Sequence, residues 1–161
     1  MKIRLAVALL GLATSLTVPT LAQQKETADQ EIRQVADSLA RKLDEAWNNN
    51  DAAAAAALYT EDGVHASIYQ TSHGREAIEK SYAHDFQRWH PNNHIITVNR
   101  VTVAGNGVRA TGRWSESHVS DIGNVRGSNA GYVTLVIVRE GNTWKIRKST
   151  FSENHDPFST N

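Results

Sequence analysis

The sequence predicts an α+β domain in which three N-terminal helices pack against a curved, mostly antiparallel sheet. Three observations predict it. Apolar residues recur at three- and four-residue spacing up to Pro91, and beyond it β-branched and aromatic residues dominate. Turns rich in glycine and asparagine separate the later runs. Helices first and strands after them argue against a parallel α/β arrangement, which would alternate the two.

Element by element, Thr27 with Gln30 three residues on reads as a capping box for the first helix. Ile32, Val35, Leu39, Leu43, Ala46 and Trp47 then share one helical face, and Asn48-Asn49-Asn50 stops it. Asp51 caps a short alanine-rich helix closing on Leu58-Tyr59, and Thr60-Glu61-Asp62-Gly63 turns the chain into a strand. Gly74-Arg75-Glu76-Ala77-Ile78 opens the third helix. Its stripe is Ile78, Tyr82, Phe86 and Trp89, and Pro91 ends it. His94 to Val103, Val108 to Val119, Gly131 to Arg139 and Thr143 to Phe151 read as strands. Gly105-Asn106-Gly107 and Glu140-Gly141-Asn142 are hairpin turns, and Ser120 to Gly127 is a longer rim loop.

The N-terminus carries a targeting signature. Lys2 and Arg4 precede a mostly apolar run from Leu5 to Val18, and Thr20-Leu21-Ala22 supplies the small residues of a cleavage site, so residues 1–22 read as a signal peptide. The run falls short of the roughly 20 residues of a membrane-spanning helix. The expectation is export to a periplasm or the cell exterior, with no membrane partner after cleavage. Residues 23–30 read as a polar lead-in, 31–152 as the domain and 153–161 as a polar tail. Removing 22 of the 161 residues leaves 139, enough for one domain with its own core. The 17 basic residues fall to 15 against 17 acidic ones, a net charge near −2 that gives no reason to expect nucleic acid as a partner. The chain has no cysteine, so neither a disulfide framework nor a lipidated cysteine is available.

The order Ala46 to Ile78, AWNNNDAAAAAALYTEDGVHASIYQTSHGREAI, followed by four strand-like runs, resembles the nuclear transport factor 2-like superfamily, particularly its SnoaL-like branch. The resemblance covers about Ile32 to Phe151. It implies a cone-shaped α+β barrel with a pocket in its mouth, often homodimeric through the outer face of the sheet. The same cone hosts isomerases, cyclases, dehydratases and plain dimerisation modules. Ketosteroid isomerases of this superfamily use an aspartate base with a tyrosine and a protonated acid as oxyanion donors. Aligned on Asp51 and Leu58-Tyr59, the tyrosine position falls on Leu43, the base position near Ser67 and the third near Val133 or Thr134, so that chemistry is not expected by that route.

Candidate site residues come from alternation along the second long strand. Val108, Ala110, Gly112, Trp114, Glu116 and His118 share one face, apolar at its start and polar at its far end. If that face is concave, Trp114 lines the pocket and Glu116 with His118 forms an acid–base couple at its mouth. The competing reading is an exposed strand end with two solvated groups. His65, beside the first short strand, is a ligand-binding candidate, whereas Asp62 reads as a turn residue. Tyr82, Phe86, Trp89, Tyr132 and Trp144 supply aromatic surface that usually fills interiors. Of these, Tyr82 and Tyr132 are taken as ligand-binding candidates, Tyr132 because a buried ring needs a partner for its hydroxyl. Ser149, Glu153 and His155 read as rim or tail residues. Seven histidines show no metal-ligand spacing, and the loop pair His90 and His94 lacks a third ligand, so neither metal nor cofactor is expected.

Two functions follow. The first is an exported protein that binds a small apolar or amphipathic ligand inside the cone, with Glu116 and His118 moving protons in an isomerase, hydratase or cyclase reaction. The second is a non-catalytic dimerisation or interaction module. A homodimer is expected in either case.

Overall fold

The computed structural model of the protein describes residues 20–120 and 125–154. Most of the expected signal peptide, the middle of the rim loop and His155 lie outside the described residues. The elements run α1 (Leu21–Asn48), α2 (Ala52–Ala57), β1 (Tyr59–Ala66), β2 (Thr71–His73), α3 (Arg75–Trp89), β3 (Pro91–Ala104), β4 (Gly107–Val119), β5 (Arg126–Glu140) and β6 (Thr143–Glu153). The six strands form one curved sheet in the order β2-β1-β6-β5-β4-β3, antiparallel except where β1 runs parallel to β6. The helices pack against its concave side, the expected α+β arrangement.

Local chemistry explains most boundaries. Asp51 accepts the Ala54 N–H at 2.9 Å and caps α2. His90 closes α3 in the left-handed region at φ 39°, and Pro91 starts β3 immediately after it. Gly105 and Gly141 take φ 61° and 59° in the two hairpin turns, where a side chain would be strained.

Three expectations need correction. The first helix starts about two turns earlier than expected, because the threonine–glutamine spacing occurs twice. Thr20 forms the capping box with Gln23, while Thr27 lies inside the helix and donates to the Gln23 carbonyl. Thr60 to Gly63 does not precede the strand but belongs to it, as an irregularity where the pairing of β1 with β6 shifts between Tyr59 and Val64. The third concerns residues 67–73, which form a turn and the short strand β2 that no sequence pattern announced.

The core fills the space between helices and sheet. Leu43, Tyr59, Ile78, Tyr82, Leu135, Ile137 and Ile146 are all fully buried. The strand β3 is the outermost on its side of the sheet, so one edge of its backbone has no strand partner. Side chains of α1 fill that role. Asn48 accepts the His94 N–H at 2.6 Å and donates to the His94 carbonyl at 3.0 Å. Asp44 accepts the Ile96 N–H at 3.1 Å, and Arg33 donates to the Val98 carbonyl at 2.7 Å.

Where β4 passes β3 the strands approach closely at Gly112. A Cβ added there would run into the Thr97 carbonyl and stand 3.1 Å from the Val98 Cα, both backbone atoms that cannot rotate away. Gly112→Ala is therefore expected to lose about 1–3 kcal/mol, the usual range for overpacking. Urea unfolding followed by tryptophan fluorescence would check this, and an unchanged midpoint would overturn it.

Candidate functional site

At the open end of the cone lies a cavity of about 130 Å³, lined by side chains from α1, α3 and five of the six strands. Its walls are aromatic, with Trp47, Trp89, Trp114 and Phe151 contributing rings, and Ile68 and Tyr69 stand at its lip. The turn carrying that lip is held by Ser67, whose hydroxyl accepts the Tyr69 and Gln70 N–H groups, and by Gln70, which donates to Ser81 on α3.

Polar groups are set into this wall. His94 is fully buried, and its Nδ1 lies 2.7 Å from Asp44 Oδ1. The second Asp44 oxygen accepts a backbone N–H, so both carboxylate oxygens act as acceptors; in the neutral ring Nδ1 then donates to Asp44 and Nε2 presents its lone pair. The His94 ring stacks on Trp47 at 4.5 Å between centroids, which fixes its plane. His65, on β1, is 1 % exposed, and its Nδ1 lies 2.8 Å from the Ser149 hydroxyl. That hydroxyl meets Tyr59 at 2.7 Å, and Tyr59 meets Tyr82 at 2.7 Å. Burial pushes the His65 pKa down to about 4, so the ring is neutral at physiological pH.

Glu116 and His118 also line the cavity, with Trp114 deeper on the same face of β4. Burial raises the Glu116 carboxyl above its ordinary range. When protonated, His94 and His118 pull the other way, as do the Asn129 and Trp47 side chains, although the Trp47 indole N–H does not reach hydrogen-bond geometry. Glu116 Oε1 stands 3.9 Å from His118 Nδ1, an electrostatic contact too long for a hydrogen bond. The His118 ring packs edge-on to Trp89 and over Gly127, where a Cβ would collide with it.

Among the described residues, five buried side-chain polar atoms have no hydrogen-bond partner: Trp47 Nε1, His65 Nε2, His94 Nε2, Glu116 Oε2 and His118 Nδ1. All five belong to residues that line this one cavity. The structure thus brings together His65, Trp114, Glu116 and His118 from the sequence reading. Two ligand-binding candidates are corrected. Tyr132 is 54 % exposed beneath Arg113 on the outer face of the sheet, because alternation turns its neighbour Val133 inward instead. Tyr82 is wholly buried behind the wall, where its hydroxyl is bonded to Tyr59 and its ring lies edge-on to Trp47. Ser149 is buried with it and is no rim residue. Asp62 lies outside the cavity, bonded to Thr60 and paired with Arg147 on the surface. No cluster of three metal-ligating side chains occurs among the described residues.

Asp44 was missed in the sequence, and His94 was considered only as a metal ligand. Both left a signal. Asp44 continues the helical row Ala36, Ala40, whose other members are small and buried, and His94 alternates in phase with the buried Ile96 and Val98.

Residues 25–150 match the family model of the SnoaL-like domain, and the chain belongs to that family. Solved structures with the same fold include a ketosteroid isomerase-like protein from Erwinia carotovora atroseptica, 16 % identical, with TM-score 0.70 over 79 % of this chain and 98 % of that one. A candidate scytalone dehydratase from Novosphingobium aromaticivorans is 16 % identical, with TM-score 0.68 over 81 % and 89 %. A nuclear transport factor 2-like superfamily protein from Salmonella enterica is 15 % identical, with TM-score 0.67 over 82 % and 94 %. No curated protein matches the chain.

The buried, neutral His65 makes stability depend on pH. The unfolded chain takes up this proton near pH 6.5 and the folded one only near pH 4. This contribution is whole above about pH 6.5 and is lost as the pH falls to about 4, a change of about 3 kcal/mol. His65→Gln is expected to flatten that part of the profile in urea unfolding between pH 7 and 4. An identical slope in both proteins would show that His65 is not the group responsible.

Proposed function

We propose that this member of the SnoaL-like family binds a small, ring-containing ligand in its cavity and moves a proton on it, with the Asp44–His94 pair as the general base. The observation that carries this reading is the convergence of every unpartnered buried polar atom among the described residues on one aromatic-walled cavity. Buried polar groups ordinarily find partners, and leaving one without costs about 1–3 kcal/mol. Five in one place serve a bound molecule better than they serve folding. The volume, about 130 Å³, is close to the roughly 150 Å³ of an apolar cavity that accepts benzene, so a ligand of one or two rings fits.

The reaction class follows from the donors at hand. A neutral imidazole whose Nδ1–H is held by a carboxylate is a general base at Nε2 and, once protonated, a general acid. Glu116, raised by burial, exchanges protons at the cavity's polar end together with His118. The pairing suits isomerisation or the addition and removal of water next to a carbonyl. The names of the ketosteroid isomerase-like and scytalone dehydratase structures are consistent with that class.

The test is exchange of the α-protons of an aromatic ring-fused ketone, 2-tetralone, in deuterated buffer followed by proton NMR. The wild type is expected to accelerate exchange over buffer, and Asp44→Asn to reduce that acceleration about 10²–10⁴-fold. No acceleration by the wild type, or an undiminished one in Asp44→Asn, would overturn the assignment of the base.

The reading also includes export and self-association. The signature in residues 1–22 supports cleavage after Ala22, and the exposed Ile95 and Tyr132 on the outer sheet face support a homodimer. Protein recovered from the periplasm of an expression host is expected to begin at Gln23 by mass spectrometry and to sediment as a dimer that Tyr132→Glu splits. An uncleaved Met1 terminus would remove the export proposal, and a wild-type monomer would remove the dimer.

A further inference from the structure

We propose that His65 is the pocket's hydrogen-bond donor, locked as the Nε2–H tautomer by the hydroxyls of Tyr59, Tyr82 and Ser149, and that it receives the carbonyl oxygen of an enolisable ring ketone. The substrate class rests on the Asp44–His94 base proposed above, whereas the tautomer rests on a count of protons. Three hydroxyl groups sit in this network, all fully buried, and each must donate its proton to an acceptor. Among the described residues, their only hydrogen-bond contacts are with one another and with His65 Nδ1. Between hydroxyls there are two contacts, Tyr59 with Tyr82 and Tyr59 with Ser149, and each can hold one proton. At least one of the three protons must therefore go to His65 Nδ1.

The short contacts fix the route. Tyr82 donates to Tyr59, Tyr59 to Ser149 at 2.7 Å, and Ser149 to Nδ1 at 2.8 Å. Were Nδ1 the protonated nitrogen, one buried hydroxyl would have no acceptor. With Nδ1 accepting, a neutral ring carries its proton on Nε2. That atom is buried, has no partner among the described residues and belongs to a cavity-lining ring.

The two histidines consequently offer opposite chemistry to one cavity. His94 presents a lone pair because its Nδ1–H goes to a carboxylate, and His65 presents an N–H because its Nδ1 takes a hydroxyl proton. Both rings flank Phe151, at 5.7 Å for His65 and 6.2 Å for His94 between centroids. With a ketone bound, His94 Nε2 removes a proton from the α-carbon. The C–H electron pair becomes the C=C bond of an enolate, and the carbonyl π pair moves to oxygen, where the His65 N–H stabilises it. Delivery of that proton from His94 to a different carbon completes isomerisation, and exchange is completed when His94 trades it for a solvent hydron and returns that one to the α-carbon.

Long-range nitrogen–proton correlation NMR on protein with labelled histidines would read the tautomer directly, with His65→Leu supplying the assignment. The wild type is expected to show His65 protonated at Nε2 alone. The Tyr59→Phe, Tyr82→Phe, Ser149→Ala triple variant, which removes every hydroxyl from Nδ1, is expected to show both tautomers. A wild-type His65 protonated at Nδ1 would overturn the proposal, as would a triple variant still locked at Nε2. For the ligand class, 2-tetralone is compared with tetralin, its analogue without the oxygen. The wild type is expected to bind the ketone at least tenfold more tightly, and His65→Leu to bind the two alike. Equal binding by the wild type, no ketone binding, or a preference that survives in His65→Leu would overturn the carbonyl assignment. The tautomer and the ketone-over-tetralin preference are read without the exchange reaction, so the Asp44→Asn exchange rate judges the base separately; only a complete lack of ketone binding counts against both. If His65→Leu fails to fold, the histidine-minus assignment is made with His65→Gln, and the wild-type tautomer and ketone preference still decide.

Discussion

The free edge of β3 is the constraint on which the rest of the structure depends. An outermost strand exposes a row of backbone groups, and at the mouth of a cone those groups are half-buried rather than solvated. Alternate residues of the strand point their N–H groups the same way, and Asp44 and Asn48, one helical turn apart on α1, meet the N–H groups of Ile96 and His94. The pairing sets the register of the long helix against the sheet and seals the side of the cone. It also decides the chemistry, because the carboxylate that receives the Ile96 N–H receives the His94 ring proton with its other oxygen. Folding and the proposed proton transfer draw on the same side chain, so a change at Asp44 is read as functional only with a stability measurement beside it.

Away from that edge, the polar content of the interior divides into two kinds. The Tyr59–Tyr82–Ser149 cluster is saturated, each hydroxyl bonded to a neighbour, and it ties α3, β1 and β6 behind the cavity wall. The wall itself is unsaturated on its inner side. A domain of this size is stable by only about 5–15 kcal/mol in total, and several unpaired buried groups represent a large share of that. Their concentration in one aromatic-lined space, with none elsewhere among the described residues, separates this cavity from an ordinary packing gap.

Much of this was legible in the sequence, and the remainder failed for identifiable reasons. Helix and strand order follow from periodicity, and strand alternation placed Trp114, Glu116 and His118 on the face that turns inward. Alternation did not decide Tyr132, because the phase of β5 is set by pairing with β4, where Tyr132 stands opposite the outward Arg113. Tyr82 lay on the buried stripe of α3, but a stripe does not distinguish the wall of a cavity from the layer behind it. Asp44 lies beside the apolar stripe of α1, and its partners lie 50 and 52 residues away on β3, beyond what helical periodicity can show. The turn and short strand after β1 were missed because Ser67 to His73 carries no alternation long enough to register.

What a histidine does at one ring nitrogen is settled by what the other is bonded to. The cone supplies two such settings from different parts of the chain: a carboxylate from the N-terminal helix for His94, and hydroxyls from β1, α3 and β6 for His65. Neither setting touches the cavity through its own polar atoms, so both act through the rings they orient. The resulting asymmetry has a practical consequence for this family of folds. Inspection of pocket-lining residues alone would not tell the imidazole of His65 from that of His94. Only the layer behind them, where hydroxyl protons outnumber hydroxyl–hydroxyl contacts, distinguishes the acceptor from the donor. A relative that kept both histidines and lost all three hydroxyls of Tyr59, Tyr82 and Ser149 would have the same pocket surface and no commitment at His65 to either proton arrangement.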